Sequence, residues 1–214
     1  MSQSYYRQQL RSTTRLYWSG LISRAAFESS MFVHVQTGFA DAFSSGQREA
    51  GIKDDERTFQ ENLFLQMRTT IEQARIPMLA DFISARSENA KFPYDATYGR
   101  VVMWANRWLD MSNSGKQMAH TDPLLTWELG NTEKSCASCL ALNGKTKRAT
   151  QWREANIEPQ SQRLRCHGYR CDCSFSISDG PMSKGRLPLS TLEAGTLPKF
   201  DDPLWWKKFV VEGK

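Results

Sequence analysis

Cys166-His167-Gly168-Tyr169-Arg170-Cys171-Asp172-Cys173-Ser174-Phe175-Ser176-Ile177 is the stretch on which the fold of this chain turns. Its first part carries three of the five cysteines. From Cys173 onward, Cys173, Phe175 and Ile177 alternate with polar residues, the period of a half-buried strand. Upstream, Leu125, Trp127 and Leu129 alternate in the same way, and the other two cysteines, Cys136 and Cys139, follow them. Between lies a loop-rich stretch with Asn143-Gly144 and Pro159. If the two short strands pair, both cysteine clusters are drawn to one point. The segment 124–178 is then a small module whose core is too thin to stand alone, so cross-linking is expected to supply what its apolar area cannot.

Zinc takes four ligands in a tetrahedron, drawn from Cys thiolate and His nitrogen. Cys136-Ala137-Ser138-Cys139 is a Cys-x-x-Cys turn that can place two sulfurs on one ion. The second pair must come from Cys166, His167, Cys171 and Cys173. The favoured set is Cys136, Cys139, Cys166 and Cys171, with Cys173 and His167 as rivals. Cys171 and Cys173 should point to opposite faces if the strand already begins at Arg170. Two disulfides and a spare thiol form the alternative. Metal is preferred, because no apolar leader opens the chain and cytoplasmic thiols stay reduced. A catalytic thiol would need a His base, and His167 beside Cys166 is badly placed to serve as one.

The charge is spread along the chain. Its net value is +5, and residues 1–120 carry 14 basic and 12 acidic side chains against 14 and 11 in residues 121–214. A nucleic-acid reader concentrates its basic residues in a stripe or patch, so a zinc-ribbon nucleic-acid-binding protein is only the alternative reading. Residues 134–173 hold eight basic and three acidic side chains. Lys145, Lys147, Arg148, Arg163, Arg165 and Arg170 are expected to neutralise a zinc–tetrathiolate centre by pairing around it. No apolar run approaches the ~20 residues of a membrane span.

The first half reads as helices. Phe27, Met31, Val35, Phe39 and Phe43 repeat every four residues. Lys53-Asp54-Asp55-Glu56 looks like a helix start, with acids over the N-terminal dipole. Phe59, Leu63, Met67, Ile71 and Ala74 form the next stripe, and Pro77 should kink or end it. Leu79, Phe82 and Ile83 continue an apolar face. Tyr98, Val101, Val102, Ala105, Trp108, Leu109 and Ser112 form a third. All three stripes are expected to be helix–helix core, and His34 and His120 to be structural or exposed. The fold class is thus mainly α: a helical body over 1–120, a cysteine-clustered α+β module over 121–179, and an extended arm over 180–214. The arm is rich in Gly, Pro and Ser, and its Trp205, Trp206 and Phe209 are candidate partner-binding anchors.

In order, Trp127-Glu128-Leu129, Cys136-x-x-Cys139, Leu142-Asn143-Gly144-Lys145, Ala149, Trp152, Pro159, Leu164, Cys166, Gly168 and Cys171-Asp172-Cys173 resemble the tailed-phage head morphogenesis family, the Mu F-like minor capsid proteins. Trp18 to Ser23 is similar to the stretch that opens the family's helices. The resemblance runs from about Arg15 to Ile177 and has no counterpart in the arm. It implies a minor structural protein of a virion, present in several copies in the head or at the portal vertex, that assists head morphogenesis and influences DNA packaging or ejection. Its implied partners are the portal, the major capsid protein and, non-specifically, packaged DNA, with no membrane. It implies no reaction, and residues 180–214 are too few for an appended enzyme domain. The family pattern often places His-Pro before the closing Cys-x-Cys. Cys166-His167-Gly168 stands there in this chain, which leaves both sulfur and imidazole as candidates for the third ligand.

Overall fold

Seven helices and three strands follow one another along the described part of the chain: α1 (Gln3–Trp18), α2 (Arg24–Glu49), α3 (Phe59–Gln73), α4 (Ile76–Ser87), α5 (Tyr94–Met118), β1 (Leu124–Glu128), α6 (Ala137–Leu142), β2 (Thr146–Arg148), α7 (Ala149–Glu154) and β3 (Ser174–Ile177). The computed structural model describes residues 1–53, 56–88, 93–131, 135–161, 163–166, 168 and 171–187. His167, Arg170, Trp205, Trp206 and Phe209 lie outside them. The mainly helical class with a small sheet is as expected, while α1 and β2 carried no periodic signal strong enough to be anticipated. Among the described residues no helix is long and apolar enough to cross a membrane.

The chain divides into two compact units, Met1–Ser45 with Lys53–Ser112, and Gly46–Ile52 with the chain from Asn113 onward. In the first unit the α2 stripe is core as expected, with Phe27, Met31, Val35, Phe39 and Phe43 all buried. Ser2 caps α1, its hydroxyl accepting from the Tyr5 N–H. Pro77 does separate two helices, since α3 stops at Gln73 and Pro77 sits in the first turn of α4. There its missing N–H leaves no helical bond unmade. Leu79 and Ile83 are buried, and Phe82 carries the guanidinium groups of Arg86 and Arg100 over its ring at 4.7 and 4.6 Å. His34 is structural, its Nε2 3.0 Å from the Thr13 hydroxyl, and burial pushes its pKa down.

Helix α3 departs from expectation twice. It begins at Phe59 rather than in the acidic run before it, because Thr58 and Glu61 make a capping box. The Thr58 hydroxyl accepts from the Glu61 N–H at 3.3 Å, and the Thr58 N–H donates to the Glu61 carboxylate at 2.6 Å. Its stripe also faces water. Phe59 is 80% exposed, Leu63 and Met67 51% and Ile71 45%. The buried face is polar instead, made of Glu61, Thr69 and Glu72. The Glu72 carboxylate lies 2.7 Å from Arg75 and 3.9 Å from Arg107. Arg68 and Arg107 meet the buried Asp110 carboxylate at 2.6 and 3.6 Å. Buried carboxylates need such partners, and this network, with Phe64 stacked on the buried Phe43 at 6.0 Å, holds the inward side of the helix.

In the second unit β1 is the central strand, antiparallel to β2 and to β3, in the order β2-β1-β3. The β1–β3 pairing is the one the alternation predicted, with Trp127 opposite Phe175. Leu125, Trp127, Leu142, Ala149, Trp152, Ile157, Leu164 and Phe175 form one core with Cys139, Cys171 and Cys173. Trp127, Trp152 and Phe175 make an aromatic triangle with centroids 5.1 to 5.8 Å apart. The outer edge of β3 is closed by side chains of α5: Asn113 Oδ1 accepts from the Phe175 N–H at 2.9 Å, and Lys116 Nζ donates to the Phe175 carbonyl at 2.7 Å. Lys116 is buried and paired with Glu49 at 2.7 Å.

Candidate metal centre

Each sulfur reaches the site by a different local device. Cys136 is the N-cap of α6, and its sulfur accepts from the Cys139 N–H at 3.4 Å. That bond places Cys139 one turn on, on the same side of the helix end. The buried Ser138 hydroxyl between them accepts from the Arg165 N–H at 3.1 Å, which holds the chain next to Cys166 against α6. Downstream, Gly168 has φ +72°, and a Cβ there would run into the Gln160 carbonyl. Gly130 packs on the backbone of Asp172 so closely that a Cβ would collide with it. Both close approaches therefore require glycine.

The result is one cluster with Cys139 at its centre. Cys136, Cys139 and Cys166 form one triad and Cys139, Cys171 and Cys173 a second, with the sulfurs of each triad within 4.8 Å of one another. The Cys136–Cys139 sulfurs are 3.3 Å apart and the Cys139–Cys171 sulfurs 3.9 Å. Sulfurs bound to a tetrahedral zinc at about 2.3 Å stand about 3.8 Å from each other, so the observed spacings bracket what such an ion requires. None of the five cysteines is in a disulfide. The condition under which Cys171 and Cys173 would diverge to opposite faces is not met. β3 begins only at Ser174, and the non-strand backbone before it lets both sulfurs join Cys139.

The thiols cannot all ionise side by side. Hydrogen bonds from Cys139 first and Cys166 next hold the Cys136 thiol down at about 3, against burial. The same proximity pushes the Cys139 thiol far up, Cys136 being the main cause and Cys166, Cys171 and Cys173 following. For Cys173, Cys139 acts to lower the pKa, but Cys171 and burial raise it to about 11. A multivalent cation among the sulfurs would release the shared protons.

Three of the six basic residues expected to neutralise the cluster, Lys147, Arg148 and Arg163, are engaged elsewhere. Lys147 Nζ donates to the Ser183 and Gly185 carbonyls at 2.6 and 2.7 Å. Arg148 donates to the Asp122 carbonyl, and Arg163 to the Ala155 and Asn156 carbonyls. Carbonyls left unpaired by turns draw these cations away. The Cys136 sulfur, whose pKa is held low, meets the Cys139 N–H instead, and a backbone hydrogen bond from Gly130 acts to lower the Cys173 pKa against its net rise. Ser138, Gly130 and Asn113 are positioning residues that the spacing of cysteines could not reveal. Ser138 does sit inside the Cys-x-x-Cys turn, and Gly130 directly follows the predicted strand.

Family models, curated proteins and solved structures contain no match to this chain.

Proposed function

We propose that this chain is a minor structural protein of a tailed-phage virion, sited in the head or at the portal vertex, whose C-terminal module is held together by one structural zinc ion. The observation that supports this reading is the convergence of its motif. The residues that carry the family resemblance and lie far apart in sequence, Trp127, Cys139, Leu142, Ala149, Trp152, Leu164, Cys171 and Cys173, form a single buried core. An ordered set of residues that makes one packed, metal-competent module is a unit of structure rather than a chance spacing. Zinc suits it best, because an all-sulfur donor set within tetrahedral spacing matches zinc's usual structural sites. Cys136, Cys139, Cys166 and Cys171 are the ligands this reading assigns. The portal or the major capsid protein is the proposed partner, with Trp205, Trp206 and Phe209 as anchors. The capture of Lys147, Arg148 and Arg163 by backbone carbonyls weighs against the nucleic-acid-binding alternative.

Purified protein should contain about one zinc per chain, and mass spectrometry of purified particles from an infected host should detect the chain in the virion. A chain that stays wholly in the soluble lysate while particles assemble without it would refute the virion role, whatever its metal content.

A further inference from the structure

The first unit carries an inverted helix. The exposed positions of α3 and the residue after it are Phe59, Gln60, Asn62, Leu63, Gln66, Met67, Thr70, Ile71 and Ala74, and not one of them is charged. The helix's ionisable side chains, Glu61, Arg68 and Glu72, are buried or partly buried, tied into the capping box and the ion pairs with Arg75 and Asp110. The stripe has a strict four-residue spacing from Phe59 to Ile71, about 18 Å of helix at 1.5 Å per residue. A row of large apolar side chains about half or more exposed, unrelieved by charge, marks a contact surface.

We infer that α3 is the interface between two copies of this chain, packed antiparallel about a two-fold axis that passes between Leu63 and Met67. The argument is electrostatic and geometric. An isologous contact lays a patch against itself, so any net charge in the patch is set against the same charge. For a chain of net charge +5, a charge-free face is the surface on which a second copy meets no such repulsion. Rows spaced by four residues interdigitate with rows of the same spacing. In the antiparallel arrangement Phe59 of one copy meets Ile71 of the other, and Leu63 meets Met67, so every member of the stripe has a partner. This inference stands apart from the virion and zinc readings, since neither uses α3.

The test is sedimentation velocity on the full chain, from low micromolar to about 0.1 mM, a range that covers modest self-affinities. The mass is expected to rise from 24.5 kDa toward twice that value with concentration. Leu63→Glu alone and Met67→Lys alone should each weaken the dimer about tenfold or more, because each buries an unpaired charge. Both positions are half exposed, so far-ultraviolet circular dichroism should show both variants folded. Mixing the two variants should restore association, since the introduced carboxylate of one copy then faces the introduced ammonium of the other across the axis. A wild-type mass fixed at 24.5 kDa through the whole range overturns the inference. So does a dimer that Leu63→Glu leaves intact, and so does a wild-type monomer that dimerises only after deletion of residues 188–214, which would make that segment the occupant of the face.

Discussion

Cys139 belongs to both sulfur triads, and no other cysteine does. Its loss should therefore remove the metal whichever downstream sulfur completes the site. Cys139→Ser is expected to purify with no stoichiometric zinc. With Cys136, Cys139, Cys166 and Cys171 as ligands, Cys171→Ser should lose most of its zinc and Cys173→Ser should keep about one ion per chain, consistent with four-coordinate structural sites. Elemental analysis of the three variants separates these outcomes, and retention by Cys171→Ser with loss by Cys173→Ser would reverse the assignment. The glycines matter at the same scale. At Gly168 the positive φ and the nearby Gln160 carbonyl both exclude a side chain, so the close approach of these two residues is set by the absence of one atom.

At the scale of elements, β3 is a short edge strand that needs support from outside the sheet. It has four residues, one strand neighbour, and an outer edge that would otherwise present unpaired backbone groups. Asn113 and Lys116, one turn apart on α5, take the N–H and carbonyl of a single residue, Phe175. That residue also sits in the aromatic triangle, so the hydrogen bonds and the core packing hold the same strand position. Asn113→Ala leaves the buried Phe175 N–H without a partner and should destabilise the fold by about 1–3 kcal/mol. Urea denaturation monitored by tryptophan fluorescence reads this directly, because Trp127 and Trp152 pack on Phe175. A variant with an unchanged midpoint would mean that the edge is closed by other means.

The whole molecule divides its stabilising forces between two units. The first has an apolar core from α2, α4 and α5, including Phe27, Phe39, Phe43, Ile76, Ile83 and Val101, and none of the five cysteines lies in it. The second builds Cys139, Cys171 and Cys173 into its core. Stripping metal with a chelator should therefore loosen one unit and spare the other, since a structural ion's binding energy is folding energy only where its ligands are. Hydrogen–deuterium exchange should rise across β1, α6 and β3 after chelation and stay unchanged over Phe27–Phe43. Exchange that rises equally in both regions, or in neither, would contradict a stabilising ion confined to the cysteine module.

Features written within a few turns of chain were legible from residue order. The α2 stripe and the break at Pro77 are of this kind. So is the β1–β3 pair, because two alternating segments flank the cysteines, and the meeting of the five thiols followed from that pairing. The inward face of α3 was settled by folding instead. An apolar stripe has a period but no sign, and the inward side here is held by ion pairs between residues more than thirty positions apart, Arg68 with Asp110 and Arg107 with Glu72, together with Phe64 stacked on Phe43. Three-dimensional packing likewise made Cys139 the shared sulfur, brought Cys171 and Cys173 to the same side, and turned Lys147, Arg148 and Arg163 toward carbonyls rather than thiolates. Those outcomes depend on where distant backbone groups are left unpaired, and spacing along a chain carries no record of that.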